Sequence, residues 1–295
     1  MFAYVGCRTT KKRNARGKGI SCYEINDKGD WTLKSITKIL ENPSFLAFDR
    51  TTSFLYTVHG DDNDVSAFKV ENDGSLTFLN TVRAEGRTLS ILRQASTTSS
   101  FLWRPSKAER GKLPILPDGK LGAAVYVEHL EGLDENGVSH AHECLLDHTG
   151  KFLLVPTQGR KIGYERVWVL RVNDETGKLT RVHIEDARTY DEPRHIDLTP
   201  DNKRAYLVNE KGNSMRYFTF DDTTGVLTPH QVTPTLPEDY VARARQAPVS
   251  FTQVAALSTL LTGSMRASLS MASKNRAAFC AAASSFPAKA RRRAL

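Results

Sequence analysis

One strand-turn-strand unit recurs along this chain, and that recurrence limits the fold more than any other feature. Three segments align: Pro43-Ser-Phe-Leu-Ala-Phe-Asp49, Ala141-His-Glu-Cys-Leu-Leu-Asp147 and Pro193-Arg-His-Ile-Asp-Leu-Thr199. Each passes through a polar turn into a run rich in β-branched and aromatic residues, Phe54-Leu-Tyr-Thr-Val58, Phe152-Leu-Leu-Val155 and Ala205-Tyr-Leu-Val208. Each then reaches a hairpin element of the form Gly-x-Leu-Thr, at Gly74, Gly177 and Gly225. Asp147 and Thr199 stand 52 positions apart, and Asp49 and Asp147 stand 98 apart, close to two repeats. A period near ~50 with several short strands is that of propeller blades, which bury their apolar faces against one another. A β-sandwich with coincidental spacing is the alternative, and the repeated turn chemistry disfavours it. Through residue 240 no run has helical periodicity, so the expected fold class is all-β, a β-propeller.

The period asks for a further blade between 87 and 112 and another after about 245, and both places break the pattern. Residues 242–295 hold nine Lys/Arg and no Asp, Glu, His, Ile, Tyr or Trp. The net charge of +8 therefore belongs to this tail and leaves residues 1–241 at −1, which weakens any argument for nucleic-acid binding. A shifted reading frame accounts for both breaks. Read from the third base of the Arg87 codon, the codons of 87–92 can spell Asn-Pro-Val-His-Leu, a counterpart of Pro43-Ser-Phe-Leu46. The same offset across 257–272 can spell an alternating strand pattern. The expected organisation is blades over 1–241, with 88–112 scrambled, and a basic non-native or disordered tail over 242–295. A divergent insertion followed by a basic tail is the alternative. A ring interrupted in this way would expose strand edges and be poorly soluble, with little activity.

No apolar run approaches the ~20 residues of a membrane helix. The start, Met1 to Cys7, reads as a strand and not as a signal peptide. Four isolated cysteines, with no CxxC pair or zinc spacing, suit a reducing compartment. The expectation is a cytoplasmic monomer without membrane or nucleic-acid partner, metal or cofactor. The basic loop Lys11–Lys18 reads as solvated, with steering of an anionic substrate as its alternative role.

The motifs Tyr4-Val-Gly-Cys-Arg-Thr9, Asn42-Pro-Ser-Phe-Leu-Ala-Phe-Asp49, Ser139-His-Ala-His142, Pro193-Arg-His195 and Ala205-Tyr-Leu-Val-Asn-Glu210 together resemble the seven-bladed propeller lactonases. That family includes bacterial 6-phosphogluconolactonases and fungal carboxymuconate cyclases. The resemblance covers 1–86 and about 113–240, so the propeller is expected to be incomplete in this chain. The family's later Asn-Arg motif survives only in the shifted frame.

Hydrolysis of a lactone needs an attacking water, a base, and positive charge where the oxyanion develops. His, Glu and Arg in one cleft can meet that demand without a metal. The resemblance implies a catalytic set of His142, Arg194 and Glu210, with His140 and His195 as substrate contacts. Arg194 would hold a carboxylate, phosphate or oxyanion. Glu210 would serve as general base or orient a histidine, and His142 would move a proton near neutral pH. Each has a plainer alternative: a surface turn arginine, a solvated strand-end carboxylate, a satisfied structural histidine. Only the resemblance, not the spacing, places Arg194 and Glu210 on one channel. The function implied is hydrolysis of a small anionic sugar lactone, 6-phospho-glucono-1,5-lactone first. Carboxymuconate-type lactone chemistry is the runner-up, and a non-catalytic interaction scaffold is the reading from another class.

Overall fold

The computed structural model describes residues 1–38, 41–49, 51–60, 64–83, 114–123, 130–173 and 178–236, and the backbone alone of 93–94, 99–103, 109–113, 126–129 and 281–284. Among the described residues the chain is built from strands and one 3-10 turn, Lys11–Arg13. Sheet I holds β1 (Phe2–Gly6), β2 (Ile20–Ile25) and β3 (Trp31–Thr37). Sheet II holds β4 (Pro43–Phe48), β5 (Phe54–His59), β6 (Asp64–Val70) and β7 (Leu76–Arg83). Sheet III holds β8 (Arg93–Gln94), β9 (Ser99–Trp103), β10 (Glu109–Pro114) and β11 (Tyr126–His129). Sheet IV holds β12 (His140–Ala141), β13 (Leu145–Leu146), β14 (Phe152–Gln158), β15 (Arg166–Val172) and β16 (Leu179–Asp186). Sheet V holds β17 (Pro193–Leu198), β18 (Arg204–Asn209), β19 (Ser214–Phe220) and β20 (Leu227–Pro234). Every pairing is antiparallel and every sheet is a meander, as in the blades of a propeller.

Two places differ from the sequence expectation. β9 and β10 cross the segment expected to be scrambled, 88–112, and pair over five positions from Arg110↔Trp103 to Pro114↔Ser99. In the basic tail, β21 (Ala281–Ser284) runs antiparallel to β1, from Ala3↔Ser284 to Gly6↔Ala281. β1 would otherwise be an open edge, and β21 pairs with it along the backbone. The codons of 87–92 and 257–272, on which the shifted-frame reading rests, fall outside the described residues.

Repetition of sequence becomes repetition of geometry. In the two aligned segments that close on Asp, that residue caps the turn that follows. Asp147 accepts the Phe152 amide at 2.8 Å through Oδ1 and the Thr149 hydroxyl at 2.6 Å through Oδ2. Asp49 accepts the Phe54 amide at 2.8 Å and is also bonded by the Thr51 hydroxyl. The hairpin glycines are forced by both backbone and space. Gly74 (φ +82°) and Gly225 (φ +84°) would each place a Cβ 2.6 Å from an aromatic ring of the preceding sheet, Phe2 and Phe152. Gly119 (φ +82°) makes the same approach to Phe54, at 2.1 Å. Gly177 falls outside the described residues.

The core lies between sheets. Tyr4, Ile20 and Cys22 of sheet I meet Leu46, Leu55 and Phe68 of sheet II. Leu145, Phe152, Leu154, Val167 and Val169 of sheet IV meet Ile196, Leu198, Ala205, Leu207 and Phe218 of sheet V. Alternate residues of β14, Leu153 and Val155, enter a second cluster on the other face with Trp168 and Leu170. Burial on both faces explains why Phe152-Leu-Leu-Val155 reads as an unbroken apolar run.

Candidate active site

A bulge sets the site. In β17 the register jumps from Pro193↔Asn209 to His195↔Val208, so Arg194 is the extra residue, outside the ladder. Proline opens the strand, where its missing N–H costs no ladder bond. Glu210 follows β18 directly, and its amide donates to Glu192 O at 2.9 Å. Strand start and strand end are thus neighbours, and Arg194 Nε lies 3.1 Å from Glu210 Oε2 as an ion pair, with side chains 14% and 28% exposed. That the two side chains meet, which the spacing left open, follows from this antiparallel register.

Sheet IV supplies the other wall. Gln158, at the end of β14, donates from Nε2 to Glu210 Oε2 at 2.6 Å. Its Oε1 accepts from Arg160 Nε at 3.2 Å and from a terminal guanidinium nitrogen at 2.9 Å, which fixes the orientation of the amide. His140 pairs with Gln158 across the ladder and is buried. Around this wall Arg160, Lys161, Tyr190 and Glu192 have φ of 45°, 77°, 68° and 51°. Such non-glycine residues in the left-handed region collect where surrounding contacts over-determine the backbone. Those contacts are carboxylates. Glu192 Oε1 accepts from the Arg160 amide at 3.1 Å and Lys211 Nζ at 2.9 Å, and Glu165 accepts the Tyr190 and Glu192 amides at 3.0 and 2.8 Å.

His142 occupies in sheet IV the slot that Arg194 occupies in sheet V, and its ring meets the His195 ring edge-on, centroids 4.8 Å apart at 77°. Burial first, then the charges of Arg194, His195 and Arg160, push His142 well below the ordinary imidazole range, against a hydrogen bond to the Arg194 backbone. His142 is therefore neutral at pH 7, whereas the sequence suggested a histidine that moves protons near neutrality. Burial also pushes the Arg194 guanidinium down from its ordinary value. Glu210 and Glu143 draw it up, and Arg160 and Arg8 press it down. The Arg8 guanidinium comes within 3.2 Å of where a Cβ on Gly60 would stand.

All five residues singled out from the sequence, His140, His142, Arg194, His195 and Glu210, meet at this end of sheets IV and V. Sequence reasoning missed Glu143, Gln158, Arg160 and Arg8. The signal for two of them lay in the repeat: at the 52-residue offset Glu143 aligns with His195, and Gln158 aligns with Glu210. Among the described residues no group of three or more His, Cys, Asp or Glu could hold a metal ion, and no helix is long and apolar enough to cross a membrane.

Fold and site together define a β-propeller in which an arginine and a carboxylate pair where two sheets meet. The chain belongs to the Lactonase, 7-bladed beta-propeller family, whose model matches residues 2–266. It is 22% identical over 263 residues to 6-phosphogluconolactonase of Bacillus subtilis, covering 86% of this chain and 73% of that protein. A candidate 6-phosphogluconolactonase of Bacteroides fragilis has a similar structure, with TM-score 0.69 and 25% identity over 79% of this chain and 67% of that one. The periplasmic gluconolactonase of Pseudomonas aeruginosa shares the fold, with TM-score 0.71 and 19% identity over 82% of this chain and 71% of that one.

Proposed function

We propose that this protein hydrolyses a sugar lactone, 6-phospho-glucono-1,5-lactone in the first place, by attack of water without a metal. The observation that carries the reading is the Arg194–Glu210 pair, held at 3.1 Å by the bulge of one strand and the end of the next. In this reading Glu210 takes a proton from the attacking water. The hydroxide adds to the lactone carbonyl, and the charge that develops on its oxygen is met by the Arg194 guanidinium. The ring C–O bond breaks, and the proton passes to the leaving alkoxide to give the hydroxy acid. His142, kept neutral, lines the site as an uncharged group, and the positive charge for the anion comes from Arg194. The 6-phosphogluconolactonase name of the Bacillus subtilis relative supports the choice of substrate.

The test is turnover of 6-phospho-glucono-1,5-lactone by the full chain in a chelating buffer, against the spontaneous rate. Slow hydrolysis, above background but little, is expected of this chain. A rate no faster than background overturns the reaction. Activity lost in chelator and restored by a divalent ion overturns the metal-free step.

A further inference from the structure

Glu143 is a buried carboxylate to which the reaction above gives no part. Its side chain is 8% exposed, and burying a charge is costly unless hydrogen bonds compensate. Here they do, and across the boundary between two sheets. The single oxygen Oε2 accepts the Ile196 amide at 2.7 Å and the His195 Nδ1 proton at 3.2 Å. The first bond ties the carboxylate to the backbone of β17, one residue beyond His195. The second decides the chemistry of the ring. A carboxylate only accepts, so a neutral His195 facing it carries its proton on Nδ1 and leaves Nε2 as a bare acceptor. The ring is not sealed, since the His195 side chain keeps 11% exposure. It packs T-shaped against the His142 ring, centroids 4.8 Å apart, and His142 hydrogen-bonds the Arg194 backbone. The groups around this pair are Glu143, Glu210, Arg194 and Arg160.

We propose that Glu143 is a positioning residue that fixes His195 as the Nδ1–H tautomer, so that Nε2 accepts a hydrogen bond from a hydroxyl of the bound sugar acid or lactone. The inference rests on the lactonase reading for its ligand and on the Glu143 contacts for its mechanism. It makes the site selective for hydroxylated ligands, because a site built to pair a hydroxyl discriminates against an analogue that lacks it.

The experiment uses the full chain labelled with 15N-histidine, with Glu143→Gln and Glu143→Ala beside the wild type. Nitrogen chemical shifts report the tautomer of His195, and calorimetry reports Kd for 6-phosphogluconate. The wild type is expected to give the Nδ1–H pattern. Glu143→Gln is expected to keep it, because the amide oxygen can accept the same two bonds, with Kd within about threefold. Glu143→Ala is expected to lose it and to weaken binding about tenfold, the order of one lost hydrogen bond. An Nε2–H pattern in the wild type overturns the proposal whether or not the alanine variant folds. An alanine variant with unchanged tautomer and Kd overturns it equally. Absence of lactone turnover by the wild type would count against the proposed reaction alone, because the tautomer is read without turnover.

Discussion

Sheets II and V are built on one plan and differ in what the plan carries. Both begin with a proline, and both bulge at the next residue: Pro43↔His59 steps to Phe45↔Val58, and Pro193↔Asn209 steps to His195↔Val208. Both bulge again in the fourth strand, at Leu79 opposite Ala67 and Phe68 and at His230 opposite Tyr217 and Phe218. The bulged residue is Ser44 in one sheet and Arg194 in the other. The residue after the second strand is Gly60 in one and Glu210 in the other. In sheet II the strand-end His59 is spent on internal bonds, to Glu41 O at 2.7 Å and Ser66 Oγ at 2.9 Å. In sheet V its counterpart Asn209 is likewise bonded within the sheet, to Ser214 Oγ at 3.0 Å, and the next residue, Glu210, meets Gln158 and Arg194. The difference teaches that the bulge is scaffold, present in either case, and that chemistry depends on which residue fills it.

That comparison is open to test. If the scaffolds are equivalent, Leu55→Ala in sheet II and Leu207→Ala in sheet V, both fully buried, should each cost about 2–5 kcal/mol in denaturant unfolding. A large inequality would break the equivalence. Arg194→Ala should lower kcat/KM for lactone hydrolysis at least ~10²-fold, the order of one electrostatic donor, while Ser44→Ala in the matching bulge stays within about twofold. Equal losses would mean that the bulge acts through structure alone. Glu210→Gln should lower kcat by about tenfold or more, and by a larger factor than it changes KM. Near-wild-type kinetics would remove the carboxylate from the reaction.

The smallest effect is on pH dependence. His142 has a depressed folded-state pKa, so the unfolded chain binds the proton more readily and stability falls as pH drops below about 6.5. The contribution is at most about 1.4 kcal/mol per pH unit. His142→Asn should flatten the fall in Tm between about pH 6.5 and 5, and an unchanged slope would contradict the burial argument.

Much of this was legible in the chain. The Asp-capped turns, the hairpin glycines and the unbroken apolar runs are local consequences of residue type, and they repeat because the blade repeats. Arg194 and Glu210 carried a family motif, yet their meeting depended on a bulge, and a bulge has no composition of its own. Gln158, Arg160 and Glu143 escaped notice because they act between sheets. The protonation of His142 was misjudged because an imidazole in sequence carries no burial and no neighbouring guanidinium. The segments 88–112 and 242–295 were marked by composition, which revealed a break in pattern and gave no warning that β9, β10 and β21 would fall within them. The shifted-frame reading of 87–92 and 257–272 predicts an inserted or deleted base beside each segment, and the DNA sequence around codons 87–113 and 241–260 decides it.

The aromatic–glycine contacts have a consequence for how damage spreads. Phe2 meets Gly74, Phe54 meets Gly119, and Phe152 meets Gly225, so each hairpin is keyed to the sheet before it. A molecule assembled in this way stores its stability in nearest-neighbour terms, like links rather than like a single droplet. Loss of one link weakens the two junctions beside it and leaves more distant junctions at nearly full strength. The junction of sheets IV and V, which holds Arg194 and Glu210, is therefore insulated from events in a remote part of the ring. A lineage that erodes such a protein from one end would lose closure well before it lost the cradle of its chemistry.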